Sequence, residues 1–409
     1  MTVLIVQGHV MDMLRRIDDE SVHCVVTSPP YYGLRSYGTE PQMWGGDWDH
    51  NHDDSEICRC GRWVGHLGLE PTPELFIQHL VEIFREVRRV LRKDGTLWLN
   101  IGDSYAAGKT GRDDSGDRGG ARFHGQPAHA GHKPSQRKPP TGTKPKDLLM
   151  IPSQLALALR ADGWWLRSEI VWAKKAPMPE SCTDRPTCAH EKVFLLTKSA
   201  RYFYDQDAVR DEPTGRTDPI SSFGKPGTPR QDGTRSYQLD GSVGRNMRNV
   251  WHLGPKPFPE AHFATYPPGI PRRAILAGTS AKGVCPKCGA PWVRETKVIG
   301  GVRGRIIDTH ADDAVKGNTH GASTYHGATR AEYESQKVET IGWRPSCSCD
   351  AGEPIPGMVL DCFLGSGTTA LVADQLGRDC IGIELSPQYA AMAALETTRG
   401  CSLLLRPSE

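Results

Sequence analysis

Apolar residues fall along this chain in short blocks, and the blocks near its two ends share one rhythm. Ser21–Thr27 is a short apolar run that fits a buried strand ending at the turn Ser28-Pro29-Pro30-Tyr31. Thr72-Pro73-Glu74 then opens a helix, with Thr72 as N-cap and proline in the first turn. Phe76, Leu80, Ile83, Phe84, Val87 and Leu91 recur at helical spacing, and Asp94-Gly95 is expected to close the helix. Thr96–Ile101 follows as a second buried strand. The rhythm resumes with a helix near Pro152–Arg160 and strands near Trp164–Trp172 and Lys192–Thr197. Toward the C-terminus, Met358–Asp361 reads as a strand, Thr368–Leu376 as a helix stopped by Gly377, and Cys380–Glu384 as a strand. Ser386-Pro387 caps a last helix that stops near Gly400. This alternation predicts an α/β fold on a mostly parallel sheet.

Between these blocks the pattern breaks. Residues 105–147 and 205–250 are rich in Gly and Pro and poor in large aliphatic residues, so neither stretch can bury a core of its own. A third interruption, roughly 281–350, is bracketed by cysteine pairs. The chain therefore divides into a first α/β half, 1–204, carrying a basic loop at 105–147, and a polar region at 205–260. A short segment at 261–280, the cysteine-bracketed insertion at 281–350 and a closing α/β block at 351–409 follow.

At 409 residues the chain is long enough for one large α/β core with smaller modules. Its formal net charge is only +2, so a nucleic acid would have to be met by local basic stretches. The N-terminus lacks the features of a signal peptide, and no run of about 18 apolar residues exists to span a membrane. A soluble, cytoplasmic protein is expected. In such a chain the 12 cysteines suit metal ligands and core thiols better than a disulfide framework.

The closing block carries one nucleotide-type unit: Asp361 at a strand end, a loop with Gly365 and Gly367, a helix, and Glu384 ending the next strand. Glycines let the backbone approach a ligand, and a carboxylate about 20 residues on can accept from ribose hydroxyls. Gly-Ser-Gly-Thr-Thr lacks the lysine of a phosphate-binding P-loop, and the full Gly-x-Gly-x-x-Gly of a dinucleotide site is missing. S-adenosylmethionine, with a ribose and no phosphate, fits best.

In Ser28-Pro29-Pro30-Tyr31, two prolines hold the backbone extended and remove two N–H donors. Carbonyl oxygens and the Ser28 hydroxyl are left to accept from an exocyclic amino group, and Tyr31 offers a stacking face. That is the chemistry for holding a flipped-out base. A rigid proline-rich turn is the plainer alternative.

Together, Thr27–Tyr31 and Asp361-Cys362-Phe363-Leu364-Gly365-Ser366-Gly367-Thr368-Thr369 resemble the amino-methyltransferases of DNA. The order, catalytic motif before cofactor motif, is similar to their β class. The resemblance extends through Gly8–Leu14, 67–105, 152–204 and 262–280, where Phe263, Tyr266 and Pro267 look like an additional cofactor-contacting motif. It implies a Rossmann-like, circularly permuted methyltransferase sheet of seven strands, one antiparallel, with the cofactor at the carboxyl ends of the strands. By position, Asp361, Phe363, Gly365, Gly367, Thr368, Thr369 and Phe263 would line the cofactor, with Glu384 on the ribose. Ser28 and the carbonyl of Pro29 would hold the target amino group, beside Pro30, while Tyr31 stacks. Where many members carry Asp after the glycine, this chain has His9, and no contact is assigned there.

The resemblance implies direct methyl transfer to an amino nitrogen, driven by positioning and electrostatics, with no covalent cysteine. Cys24 and Cys362 are expected to be core thiols. Ser at the first position of the tetrapeptide is similar to members that methylate N4 of cytosine, and N6 of adenine is the competing target. Double-stranded DNA is the expected partner, with a cognate restriction enzyme and a homodimer as further candidates, in a bacterial or phage setting. An RNA or small-molecule methyltransferase, and a non-catalytic DNA-binding protein, are the readings from other classes.

Cys285-Pro286-Lys287-Cys288 followed by Gly289 has zinc-knuckle spacing, and Cys347-Ser348-Cys349 would complete four thiolates. Four unrelated thiols are the alternative. A structural zinc there would staple the insertion, whose inner loop, 298–340, would face DNA. His50, His52, Cys58 and Cys60 form a second candidate set, against exposed histidines and free thiols; Cys182, Cys188 and His190 are unassigned. Lys109–Lys146 holds nine Lys or Arg against three Asp and suits phosphate contacts or a plain solvated loop. Arg245, Asn246, Arg248 and Asn249 lie in the polar region and are of the kind that read base edges.

Overall fold

The computed structural model describes residues 2–33, 38–45, 62–106, 142–177, 179–211, 245–254, 266–299, 337–350, 352–398 and 403–405. In chain order the elements are β1 (Val3–Gln7), α1 (Val10–Arg15), β2 (Val22–Thr27), β3 (Gln42–Trp44), β4 (Trp63–Gly65), α2 (Pro73–Val90), β5 (Leu91–Ile101), α3 (Ile151–Ala161), β6 (Trp165–Lys174) and β7 (His190–Thr197). They continue with β8 (Val250–Leu253), α4 (Gly269–Gly278), β9 (Trp292–Ile299), β10 (Lys337–Pro345), β11 (Met358–Asp361), α5 (Thr368–Gln375), β12 (Asp379–Glu384), α6 (Pro387–Thr398) and β13 (Leu403–Leu405).

One sheet organises the larger unit, in the order β13-β1-β12-β11-β2-β5-β7-β6-β8. Its pairings are parallel except those of β7, which runs antiparallel to both β5 and β6. The single antiparallel strand agrees with expectation. The strand count does not: among the described residues the sheet has nine strands where seven were expected, and its two edge strands are only three and four residues long. Position β11 beside β2 is the consequential one, because it brings the start and the end of the chain together at the centre of the sheet.

Side-chain alternation covers both faces. Val25, Leu97 and Leu99 join Phe76, Leu80, Phe84 and Val87 of α2 in the main core, while Cys24 points the other way and reaches the Ala274 carbonyl of α4. Each of those four α2 side chains is fully buried, worth about 1.5–3 kcal/mol apiece. Thr72 caps α2 as expected, its hydroxyl accepting from the Leu75 N–H at 3.2 Å. The helix does not extend to Asp94-Gly95. Leu91 is already extended, with φ −70° and ψ 137°, and β5 runs through that pair. Pairing of Val22 with Leu91 rewards early extension, which a helical count of apolar positions does not register.

Val3–Gln7 forms a parallel ladder with Cys380–Glu384, a strand not foreseen in the N-terminal residues. The chain divides into two compact units, one comprising Met1–Asp205, Asn249–Trp292 and Pro345–Glu409, the other Gln206–Arg248 and Val293–Arg344. Within the smaller unit, β9 and β10 pair as a two-stranded sheet. Among the described residues no helix is long and apolar enough to cross a membrane.

Candidate active site

Ser28 directly follows Thr27 at the end of β2, and Asp361 ends the neighbouring parallel strand β11, so both motif loops emerge from the same edge of the sheet. They meet in a cavity of about 560 Å3. Ser28, Pro29, Pro30 and Tyr31 line it from one loop; Phe363, Gly365, Ser366 and Thr368 line it from the other, with Glu384 at the end of β12. That volume lies within the range for small-ligand sites.

The glycine loop is shaped from behind. Asp361 is fully buried; Oδ1 accepts from Thr27 Oγ1 at 2.7 Å and from the Phe363 N–H at 3.1 Å. Its Oδ2 accepts from Tyr266 Oη at 2.9 Å and from Thr369 Oγ1 at 2.6 Å. Burial raises its pKa, and these four donors oppose the rise. Asp361, Gly367 and Thr369 therefore lie behind the cavity wall and hold the loop. Gly367 has φ +91°, and an added Cβ would stand 2.8 Å from that of Ala393, so glycine is required twice over. Tyr266 joins this network, and burial together with the Asp361 charge pushes its phenol well up.

Glu384 sits at the cavity edge. Its Oε2 accepts from the Gly365 N–H and its Oε1 from the Ser386 N–H, each at 2.8 Å. Burial raises its pKa while the backbone donors pull it down. Each oxygen keeps a lone pair, and these, with the glycine loop beside them, fit a ribose diol.

On the opposite side, a polar network not anticipated from the sequence backs Ser28 and Tyr31. Tyr31 Oη donates to Glu191 Oε2 at 2.5 Å and lies 3.1 Å from Asn100 Oδ1. Asn100 Nδ2 donates to Glu191 Oε2 at 3.2 Å and to the Lys192 carbonyl at 3.1 Å. Lys174 Nζ pairs with Glu191 Oε1 at 2.6 Å. Asn100 within the apolar run Thr96–Ile101 was the visible clue, since a polar side chain inside a buried strand needs a hydrogen-bond partner. His9 also lines the cavity and its ring lies 4.6 Å from that of Trp44. Burial lowers its pKa.

Cys24 and Cys362 are buried as expected. Burial pushes the Cys24 thiol up to about 12 and Cys362 well up too, which leaves neither as a ready thiolate.

The sulfurs of Cys285, Cys288, Cys347 and Cys349 lie within 4.8 Å of one another. Backbone N–H groups of the knuckle, led by that of Cys288, pull the Cys285 thiol down to about 7. His23 Nδ1 accepts from the Met358 N–H at 3.0 Å, so its Nε2 carries the proton and donates to the Gly289 carbonyl at 3.0 Å. Arg92 donates to the Cys288 carbonyl at 2.9 Å. The knuckle is thus tied to β2, β5 and β11 at their starts, the end remote from the cavity.

His50, His52, Cys58, Cys60 and Phe263 lie outside the described residues, as do most of the basic stretch and the interior of the inner loop. Of the polar region, Arg245 pairs with Asp211 through backbone bonds, and Asn246 accepts from Arg210 at 3.3 Å.

A family profile described as DNA methylase, N6_N4_Mtase, matches residues 22–285 and 351–395. Type II methyltransferase M.XycI of Xanthomonas campestris pv. cyanopsidis is 35% identical over 389 residues, covering 95% of this chain and 85% of the relative. Type II methyltransferase M.SmaI of Serratia marcescens is 32% identical over 391 residues, covering 95% and 88%. Among solved structures, the PvuII DNA methyltransferase (cytosine-N4-specific) aligns with a TM-score of 0.48 at 13% identity, over 97% of this chain and 87% of that one.

Proposed function

The chain belongs to the DNA methylase family of S-adenosylmethionine-dependent amino-methyltransferases, and from that premise we propose that it methylates N4 of cytosine at a short site in duplex DNA. The observation that carries this reading is the shared cavity of Ser28–Tyr31 and the Gly365–Glu384 segment, two segments from opposite ends of the chain. The order of these segments along the chain supports the circularly permuted, β-class arrangement.

Glu384 is the ribose acceptor, and the backbone of Gly365 allows close approach. Phe363 and Thr368 line the same end, with Asp361, Gly367 and Thr369 holding the loop; Phe263 is assigned here from the family resemblance. Bound there, S-adenosylmethionine supplies an electrophilic methyl group on a sulfonium centre. Ser28 Oγ and the Pro29 carbonyl accept the two hydrogens of the target amino group, Pro30 keeps the turn extended, and Tyr31 stacks on the flipped base. An amino nitrogen whose lone pair is delocalised into its ring is a weak nucleophile, so catalysis rests on positioning and on acceptors that favour a tetrahedral nitrogen. Ser28, in place of Asp, favours cytosine; N6 of adenine is the alternative. Mass spectrometry of nucleosides from DNA treated with the enzyme decides between them, and DNA with neither product overturns the assignment.

The four cysteines form a structural zinc centre in this reading. Four thiolates around zinc at about 2.3 Å place sulfurs about 3.8 Å apart, and the observed separations of at most 4.8 Å approach that arrangement. Local basic stretches supply phosphate contacts, and the polar region around Arg245 and Arg248 reads the site. A bacterial or phage cytoplasm, with a cognate restriction enzyme, completes the proposal.

A further inference from the structure

The network behind Ser28 fixes the direction of its hydrogen bonds. Asn100 Nδ2 lies between two groups that can only accept, Glu191 Oε2 at 3.2 Å and the Lys192 carbonyl at 3.1 Å. The amide is therefore oriented with Oδ1 toward Ser28, whose hydroxyl is 3.3 Å away. Tyr31 Oη has one proton, and the carboxylate of Glu191 at 2.5 Å takes it. Toward Ser28, 3.5 Å away, the phenol oxygen can then only accept. Both groups facing Ser28 from behind are acceptors, so the serine proton points inward and its lone pairs point into the cavity.

Lys174 keeps Glu191 in this role. Its ammonium pairs with Oε1 at 2.6 Å and stands 5.2 Å from the Trp172 ring centre, which leaves Oε2 for Tyr31 and Asn100. The Glu191 side chain is only 13% exposed, so water competes little for these bonds. Strand register builds the arrangement: Glu191 pairs with Trp172 across β6 and β7, and Asn100 pairs with Val193 across β5 and β7.

We infer that Glu191, braced by Lys174, is a positioning residue that orders the Asn100 and Tyr31 hydrogen bonds so that Ser28 meets the target amino group as an acceptor. The inference rests on the proposed role of Ser28. Glu191 itself touches neither the amino group nor the transferred methyl. Its glutamine analogue keeps the shape but can present an N–H where Oε2 stood, which allows Tyr31 or Asn100 to reverse and Ser28 to turn its proton outward.

The test is a double-mutant cycle on the full chain, read as single-turnover methylation of duplex DNA at saturating cofactor. Glu191→Gln should lower the rate about ten- to hundredfold, with S-adenosylmethionine affinity and melting temperature close to wild type. Ser28→Ala should be slow as well, and adding Glu191→Gln to it should cost less than about twofold, because no serine proton remains to be directed. Glu191→Asp, which keeps an acceptor-only group, should recover part of the rate. Three results overturn the inference: a wild-type rate for Glu191→Gln, the same fold-loss in the Ser28→Ala background, or a loss explained by falling stability. If Ser28→Ala itself turns over normally, the role of Ser28 fails first and the inference falls with it.

Discussion

Thr27 Oγ1 donates to Asp361 Oδ1 at 2.7 Å, joining the last residue of β2 to the last residue of β11 across 334 positions of sequence. This bond sits directly beneath both motif loops, and Asp361 spends the same oxygen on the Phe363 N–H. The two motif loops are thereby tied together at their roots by a buried contact.

Replacing Thr27 by Val keeps the shape and removes the donor. The fully buried carboxylate then lacks one of its four hydrogen bonds, at a cost of about 1–3 kcal/mol in urea unfolding. Weaker cofactor binding by calorimetry should accompany that loss, because the Phe363 backbone is held by the same oxygen. Unchanged affinity in Thr27→Val would separate the two loops energetically.

Gly102 is where the Tyr31 ring lies against the backbone: a Cβ built there would fall 2.5 Å from ring carbon Cε2. Gly102→Ala must therefore displace the ring or the strand end. Turnover should fall at least about tenfold, with cofactor affinity within about twofold of wild type. Steady-state kinetics beside calorimetry checks this, and a variant with normal turnover would show that ring placement is not critical.

Cofactor binding should depend on pH through Glu384. Burial raises its pKa above the ordinary 4.5, so in the free protein protonation begins at a higher pH than for an exposed glutamate. A ribose needs the lone pairs of the carboxylate, so affinity should weaken on acidification before pH 4.5 is reached; Glu384→Gln should be weaker throughout and flat. For stability the sign is opposite. A raised folded pKa means that this group's contribution is fully present below the unfolded value and is lost as pH rises through the folded one. Glu384→Gln should therefore gain relative stability toward neutral pH, measured by melting the free protein.

The cysteine centre predicts about one zinc per purified chain, and Cys347→Ser should release it at a stability cost on the order of several kcal/mol. Hydrogen exchange offers a local readout, since the Gly289 N–H donates to the Cys285 carbonyl at 2.8 Å. Chelation should expose that amide early. A metal-free protein with the amide still protected would refute a structural metal.

The amino-acid sequence alone determined the strand–helix rhythm, the two motif loops, Glu384 and the cysteine pairs. Each is written in local signals: apolar runs, caps, glycines and short fixed spacings. Local spacing misplaced the end of α2, because the strand beginning at Leu91 is decided by pairing with Val22 across the sheet. β1 was hidden for a similar reason, as Val3–Gln7 gains its ladder only from β12, which lies near the other end of the chain. Tertiary structure alone decided that Asn100, Lys174 and Glu191 stand behind Ser28 and Tyr31. Those residues come from three strands brought together by register, and direction in a hydrogen-bond network exists only once every donor has met its acceptor. Ordinary polar positions in the linear chain thus acquire a shared role, because burial removes the water that would otherwise satisfy each of them separately.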